Sequence, residues 1–232
     1  MGRVEASRGR THPARMRPLL LLLPALVLAA CAASDPGAQD AAVAAGFDID
    51  PAAADTAVFA GGCFWCMEKP FEELDGVASV VSGFSGGTVA DPTYDEVASK
   101  KTGHYEVVEV VYDPSVVGYD ALLQVYWHNV DPLDGGGQFC DRGSPYRPAL
   151  FVRTPAERAA AEATKAELED RFGQTVEVPV LDAAPFYAAE DYHQDFYRTN
   201  PVRYNSYRVG CRRDARLAEL WGESAGVLGP AL

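Results

Sequence analysis

From residue 57 onward, strand-like and helix-like segments follow one another without the regular strand–helix–strand spacing that builds a doubly wound parallel sheet. Val58-Phe59-Ala60 reads as a short apolar strand that ends at Gly61-Gly62. Cys63 to Leu74 reads as a helix containing Pro70, stopped by Gly76. Val77–Val81 is a strand, and Gly83-Phe84-Ser85-Gly86-Gly87 a turn. His104–Tyr112 alternates β-branched and polar residues, the pattern of a half-buried strand. Leu122, Val125, Tyr126 and Asn129 recur at helical spacing in Tyr119–Val130, and residues 131–148 form a long loop rich in Gly, Pro and Asp. Ala149–Arg153 is a strand, and Thr154 then caps a helix that Pro155 starts and that runs to Phe172, before Gly173. Val176–Leu181 is a strand and Glu190–Thr199 a short helix; after Tyr204 the chain reads as mostly irregular, with one helical turn near Leu217. This order predicts an α+β fold: a two-layer α/β sandwich around a mixed sheet, with a long irregular C-terminal tail.

The chain outside that domain has a different composition. Of its 232 residues, 20 are Lys or Arg and 33 are Asp or Glu, a net charge of -13. Residues 1–30 hold five arginines and one acid, Glu5, so the remainder carries -17. Such an acidic chain excludes a broad nucleic-acid surface, which needs clustered Lys and Arg. After Arg15 and Arg17 comes the apolar run Leu19–Ala30, broken only by Pro24. It is too short to span a bilayer, which takes roughly 20 residues, and fits the core of a secretory signal. It ends Leu28-Ala29-Ala30-Cys31, which resembles a bacterial lipobox. That resemblance implies residues 1–30 as a lipoprotein-type signal peptide and Cys31 as the lipidated residue. It also implies export, with a lipid anchor in a bacterial membrane facing the periplasm or cell exterior. Residues 31–56 are dominated by Ala and Asp and read as a flexible tether, and residues 57–232 as the folded domain. With 48% hydrophobic residues, that domain has the material for a core.

The chemistry centres on Gly61-Gly62-Cys63-Phe64-Trp65-Cys66-Met67-Glu68. A cysteine at a helix N-terminus meets free N–H groups and the positive end of the helix dipole, so a lowered pKa and a nucleophilic Cys63 are expected. A buried cysteine acting as a small hydrophobe explains the position almost as well. Taken singly, Glu106 fits a solvent-facing strand carboxylate, Tyr94 and Tyr146 fit packing residues, and Asp141 fits a turn residue. Glu190 and His193 stand three apart without partners that would make a metal site, and no metal or other cofactor is expected. A thioredoxin-type Cys63-x-x-Cys66 oxidoreductase, a four-cysteine zinc site and a disulfide-stapled secreted domain compete with a reductase. Met67 in place of His after Cys66 rules out c-type haem attachment.

Four separated motifs decide among these. Gly62-Cys63-Phe64-Trp65, Pro92-Thr93-Tyr94, Gly103-His104-Tyr105-Glu106 and Cys140-Asp141-Arg142-Gly143-Ser144-Pro145-Tyr146-Arg147 occur in an order that resembles the type A methionine sulfoxide reductases, over roughly residues 57–222. Tyr207-Arg208-Val209-Gly210-Cys211 with Leu220-Trp221-Gly222 resembles an ending common in that family, and His193-Gln194 matches it as architecture. Cys66 departs from the pattern, since many members have Gly there. The resemblance implies attack of Cys63 on the sulfoxide sulfur, with Glu106 as the acid that protonates the oxygen. Tyr94 and Tyr146 would hold that oxygen, Phe64 and Trp65 would pack the S-methyl group, and Asp141 would orient the substrate or the water network of the site. The substrate would be the S epimer of methionine sulfoxide, free or in oxidised proteins, acted on by a monomer.

Cys63 is left as sulfenic acid, which a second thiol must resolve before a thioredoxin-like reductant recycles the disulfide. Cys211 is the expected partner, because a tail pays only ordering entropy to reach the sulfur. Cys66 and Cys140 remain alternatives. Cys66, at i+3, would have to close a gap of roughly 5–6 Å between helix-surface neighbours.

Overall fold

A computed structural model describes residues 49–226. Residues 1–31, read as a signal peptide and lipidation site, and nearly all of the segment read as a tether lie outside the described residues. The chain begins with strand β1 (Asp55–Gly61), helix α1 (Trp65–Glu72), β2 (Val77–Ser85), α2 (Tyr94–Ala98), β3 (Tyr105–Tyr112) and α3 (Tyr119–His128). A two-strand hairpin follows, β4 (Gly137–Gln138) with β5 (Asp141–Arg142), then a 3-10 turn over Ser144–Tyr146 and β6 (Pro148–Val152). The last part comprises α4 (Pro155–Phe172), β7 (Val180–Asp182), β8 (Tyr187–Ala188), α5 (Phe196–Thr199), α6 (Pro201–Gly210) and α7 (Arg213–Trp221).

Six strands form one sheet in the order β7-β6-β1-β3-β2-β8. All neighbours are antiparallel except β6 and β7, so the sheet is mixed, as expected for this α+β fold. The two-residue period of β1 and β3 divides the core. Ala57, Phe59, Val108, Val110 and Tyr112 pack with α1 and α3 in the main cluster. Ala60, Tyr105 and Val107 face the other way, onto Ala149, Phe151 and Phe186. Glu106 therefore shares its face with Val108 and Val110, under the helices, and is 2% exposed.

Caps behave as the sequence requires. The Thr154 hydroxyl accepts from Glu157 N–H at 3.1 Å, Pro155 occupies the first turn, and Gly173 ends α4 in the left-handed region at φ 61°. Thr93 and Glu96 form a reciprocal capping box at the start of α2.

Three expectations are corrected. The turn read from Gly83 is strand, because β2 continues to Ser85 in register with Tyr105 of β3. The helix read over Glu190–Thr199 is broken into a 3-10 turn and α5 at Asp195, whose φ is +51° and whose N–H donates to the buried Glu68 carboxyl at 3.3 Å. The C-terminal tail is helical rather than irregular. Arg213, Leu217 and Trp221 stand at i, i+4 and i+8 and all are buried, with Trp221 Nε1 donating to the Val130 carbonyl at 3.1 Å. Few apolar residues mark that stripe, and one of its three positions is an arginine.

Candidate active site

β1 delivers the chain to Gly61-Gly62 at the end of the sheet. A Cβ on Gly61 would lie 2.5 Å from Met67 Sδ; one on Gly62, at φ +83°, would lie 2.5 Å from Gln138 Cβ. Gly62→Ala should therefore combine left-handed strain with a clash against the β4 strand. We expect it to cost about 1–3 kcal/mol, read as a lower denaturant midpoint, and to lower turnover by moving the adjoining Cys63.

Cys63, read from the sequence as the first residue of the helix, stands outside it. Phe64 is the N-cap of α1 and Cys63 stands just before it. The Phe64 N–H goes to Glu106 Oε2 at 3.1 Å rather than to the sulfur. Cys63 is buried, 6% exposed, and burial pushes its thiol up, helped by its hydrogen bond to Cys66 and the nearby Glu106. Burial thus acts against the lowering expected from the helix dipole, and the Cys63 thiol is shifted upward instead. Its hydrogen bond to Cys66 lowers the Cys66 thiol, with Arg213 and Arg208 acting in the same direction.

Glu106 is pushed up to about 8 by burial, against the lowering effect of the Phe64 N–H. It is a neutral carboxylic acid at pH 7, poised to donate. Burial raises the phenols of Tyr94 and Tyr146, which lie within electrostatic reach of Glu106 and of each other. Tyr94 is placed by the start of α2, where its N–H donates to Glu190 Oε1 at 3.1 Å, and Tyr146 by the 3-10 turn after β5. Phe64 is 1% exposed, with the rings of His193, Phe84 and Tyr94 at 5.0, 5.9 and 6.4 Å. Trp65 stacks on Phe196 at 3.7 Å with 6° between planes. Asp141, on β5, accepts a hydrogen bond from the Tyr207 hydroxyl; burial raises its pKa and this bond lowers it. The Phe64 N–H thus links Glu106 to the residue after Cys63, Tyr94 and Tyr146 lie within electrostatic reach of Glu106, and Tyr207 joins Trp65 to Asp141.

Three neighbours carry roles that sequence reasoning did not assign. His193, 1% exposed and kept neutral by burial, accepts from Trp65 Nε1 on Nδ1 at 3.0 Å and fixes the indole. Glu190 anchors Tyr94 as described. Tyr207 orients Asp141 and meets Trp65 edge-on at 6.0 Å. His193 and Tyr207 lie inside quoted motifs, but nothing in their spacing tells which atom each would touch.

The remaining cysteines are paired differently from the expectation. Cys211, at the end of α6, is bonded to Cys140 rather than to Cys63, while Cys63 and Cys66 are free and buried. The α6 helix and its turn into α7 bring Cys211 beside the β4–β5 hairpin instead of leaving it on a mobile tail. This disulfide removes two of the four thiolates that a four-cysteine zinc site would need. Cys140, Asp141 and Cys211 are close to one another, but bonded sulfurs are not thiolate ligands.

The comparisons with known proteins agree with this geometry. The family described as peptide methionine sulfoxide reductase matches residues 55–225. Peptide methionine sulfoxide reductase MsrA 2 of Caulobacter vibrioides is 52% identical over 169 residues, 72% of this chain and 86% of that one. The MsrA of Bacillus subtilis is 48% identical over 168 residues, 72% of this chain and 95% of its own. Among solved structures, methionine sulfoxide reductase A of Corynebacterium diphtheriae superposes with a TM-score of 0.60 at 33% identity, covering 66% of this chain and 77% of that one. Mxr1 of Saccharomyces cerevisiae in its reduced form gives 0.62 at 27%, covering 66% and 90%. With the motif order, the buried acid beside the buried thiol and these matches in agreement, the chain belongs to the MsrA family of peptide methionine sulfoxide reductases.

Proposed function

We propose that this chain reduces the S epimer of methionine sulfoxide, free or within oxidised proteins, to methionine. The observation that carries this reading is the neutral Glu106 carboxyl, hydrogen-bonded to the residue next to Cys63 and facing two tyrosine hydroxyls. A sulfoxide oxygen is a poor leaving group until protonated. With that oxygen held by Tyr94 and Tyr146, Glu106 gives it a proton as the Cys63 sulfur, losing its own proton to the neighbouring Cys66, attacks the sulfoxide sulfur. The S–O bond then breaks, methionine leaves reduced, and Cys63 is oxidised to sulfenic acid. Phe64 and Trp65 receive the S-methyl group, and Asp141 orients the rest of the substrate. An assay on the two separated epimers with a dithiol reductant tests the reading; activity confined to the R epimer would overturn it.

Cys66 becomes the resolving thiol in this reading, in place of Cys211. The Cys66 N–H donates to the Cys63 carbonyl at 3.1 Å, so a single turn at the start of α1 keeps the two cysteines together, and each thiol acts on the ionisation of the other. Cys66 attacks Cys63 sulfenic acid, an S–S bond replaces the S–O bond, and water leaves. A thioredoxin-like dithiol then reduces the bridge. Cys66→Ser should release one methionine per enzyme and then stall with a thioredoxin-like donor, while Cys140→Ser and Cys211→Ser keep turning over. Peptide mass spectrometry of oxidised enzyme should show Cys63 joined to Cys66; a dominant Cys63–Cys211 bridge would return the role to the tail cysteine.

The signal-like residues 1–30 and Cys31 support an exported, lipid-anchored enzyme, with 31–56 as its tether. Cys31→Ala should abolish acylation and release the protein from membranes; an unacylated wild-type Cys31 would contradict this.

A further inference from the structure

Arg213 is 2% exposed, yet its guanidinium meets no carboxylate within ion-pair distance among the described residues. Other arginines of α6 and α7 differ: Arg208 pairs with Asp214, and Arg216 with Asp131 and Glu219. One Arg213 amino group donates to the Asn129 carbonyl at 2.6 Å, to Met67 Sδ at 3.2 Å and to the Gly61 carbonyl at 3.4 Å. The Phe139 ring lies 4.3 Å beneath the guanidinium, and Nε has no partner. All these acceptors are neutral. A buried charge without a counter-charge is costly and is retained where an anion forms. Arg213 touches both sides of the catalytic turn: Gly61, two residues before Cys63, and Met67, next to Cys66.

We propose that Arg213 is a positioning residue whose buried positive charge stabilises the Cys66 thiolate for attack on Cys63 sulfenic acid. This rests on Cys66 as the resolving thiol. The proton that Cys66 loses is taken up by Glu106, left as carboxylate by the first step. Glu106 returns it to the departing oxygen, so that Cys66–SH and Cys63–SOH give the disulfide and one water. Cys63 sulfur is reduced and Cys66 sulfur oxidised in this step, and no outside reactant is consumed. The direction of the Cys66 shift agrees. The groups facing Cys66 are Cys63, Arg213, Arg208 and Tyr204, with Asp141, Glu106 and Tyr207 also within electrostatic reach; Asp141 opposes the thiolate.

The test is thiolate absorbance against pH in the full chain. Cys63→Ser is compared with Cys63→Ser/Cys66→Ser, so that the difference reports Cys66 alone. Its midpoint should lie below the ordinary thiol value of about 8.5. Adding Arg213→Met should raise it by at least about one pH unit, a tenfold loss of thiolate below both midpoints, whereas Arg213→Lys should keep most of the effect. In single turnovers run below both midpoints, Arg213→Met should slow the loss of sulfenic acid about tenfold and leave the methionine burst unchanged. An unmoved Cys66 midpoint in Arg213→Met overturns the proposal. So does a Cys66 midpoint at or above 8.5 with Arg213 intact, which needs no arginine variant to fold. A missing methionine burst in the parent enzyme would instead mean that the reductase reading fails.

Discussion

Cys63→Ser should leave no measurable sulfoxide reduction in a domain that stays folded. The reaction transfers oxygen to a sulfur that can be oxidised to a sulfenic acid, and a serine oxygen has no such state. Losing a covalent nucleophile lowers kcat on the order of 10⁴–10⁶-fold. The exchange is nearly isosteric at a position whose backbone is held by β1 on one side and α1 on the other, so stability should change by about 1 kcal/mol or less. Methionine formation under excess dithiol, together with a thermal melt, reads both effects. A variant that keeps its melt and still turns over would remove Cys63 from the chemistry.

The parts of this site that were legible in the sequence are those set by local pattern or by motif. The two-residue period of β3 decides that Glu106 and Val108 share a face, and Gly61-Gly62 announces a close backbone approach. Whether the Glu106 face is wet or dry is not a local property. It depends on α1 lying over it, which long-range packing decides, so alternation alone favoured the solvent. The Cys63 pKa fails for a related reason. Helix-dipole reasoning holds for a sulfur at the helix mouth, but one residue of displacement gave the Phe64 N–H to Glu106 and left burial to dominate. The tail was read as irregular because its stripe is Arg213-Leu217-Trp221, and a buried arginine looks polar in any periodicity. Reading Cys211 as free on a mobile tail followed from that error: once α6 and α7 form, Cys211 is placed against the hairpin that carries Cys140. His193 needed a contact spanning well over a hundred residues of sequence, to Trp65, which no spacing rule reaches.

Glu106→Gln should reduce the chemical step by roughly 10²–10⁴-fold, the range for losing a positioned general acid. The glutamine keeps the shape and can still accept from the Phe64 N–H, so the Cys63 turn stays in place and the loss reports the proton. The pH profile is the sharper readout. Burial raises the Glu106 carboxyl from the usual 4.5 to about 8, so the acid is present through neutral pH and is lost as pH rises through that value. Wild-type turnover should therefore fall about tenfold per pH unit well above 8, while the acidic limb reports ionisation of the thiols. In Glu106→Gln the alkaline limb should vanish and the acidic limb persist. The same burial makes the carboxylate costly in the folded enzyme. Folded Glu106 holds its proton above the pH at which the unfolded chain has released it, so its contribution to stability is greatest below about 4.5 and is lost between there and about 8. Glu106→Gln should abolish that loss, raising stability relative to wild type at pH 8–9 even as activity collapses. A glutamine variant that retained both the alkaline limb and the wild-type stability slope would place the proton donor on another residue.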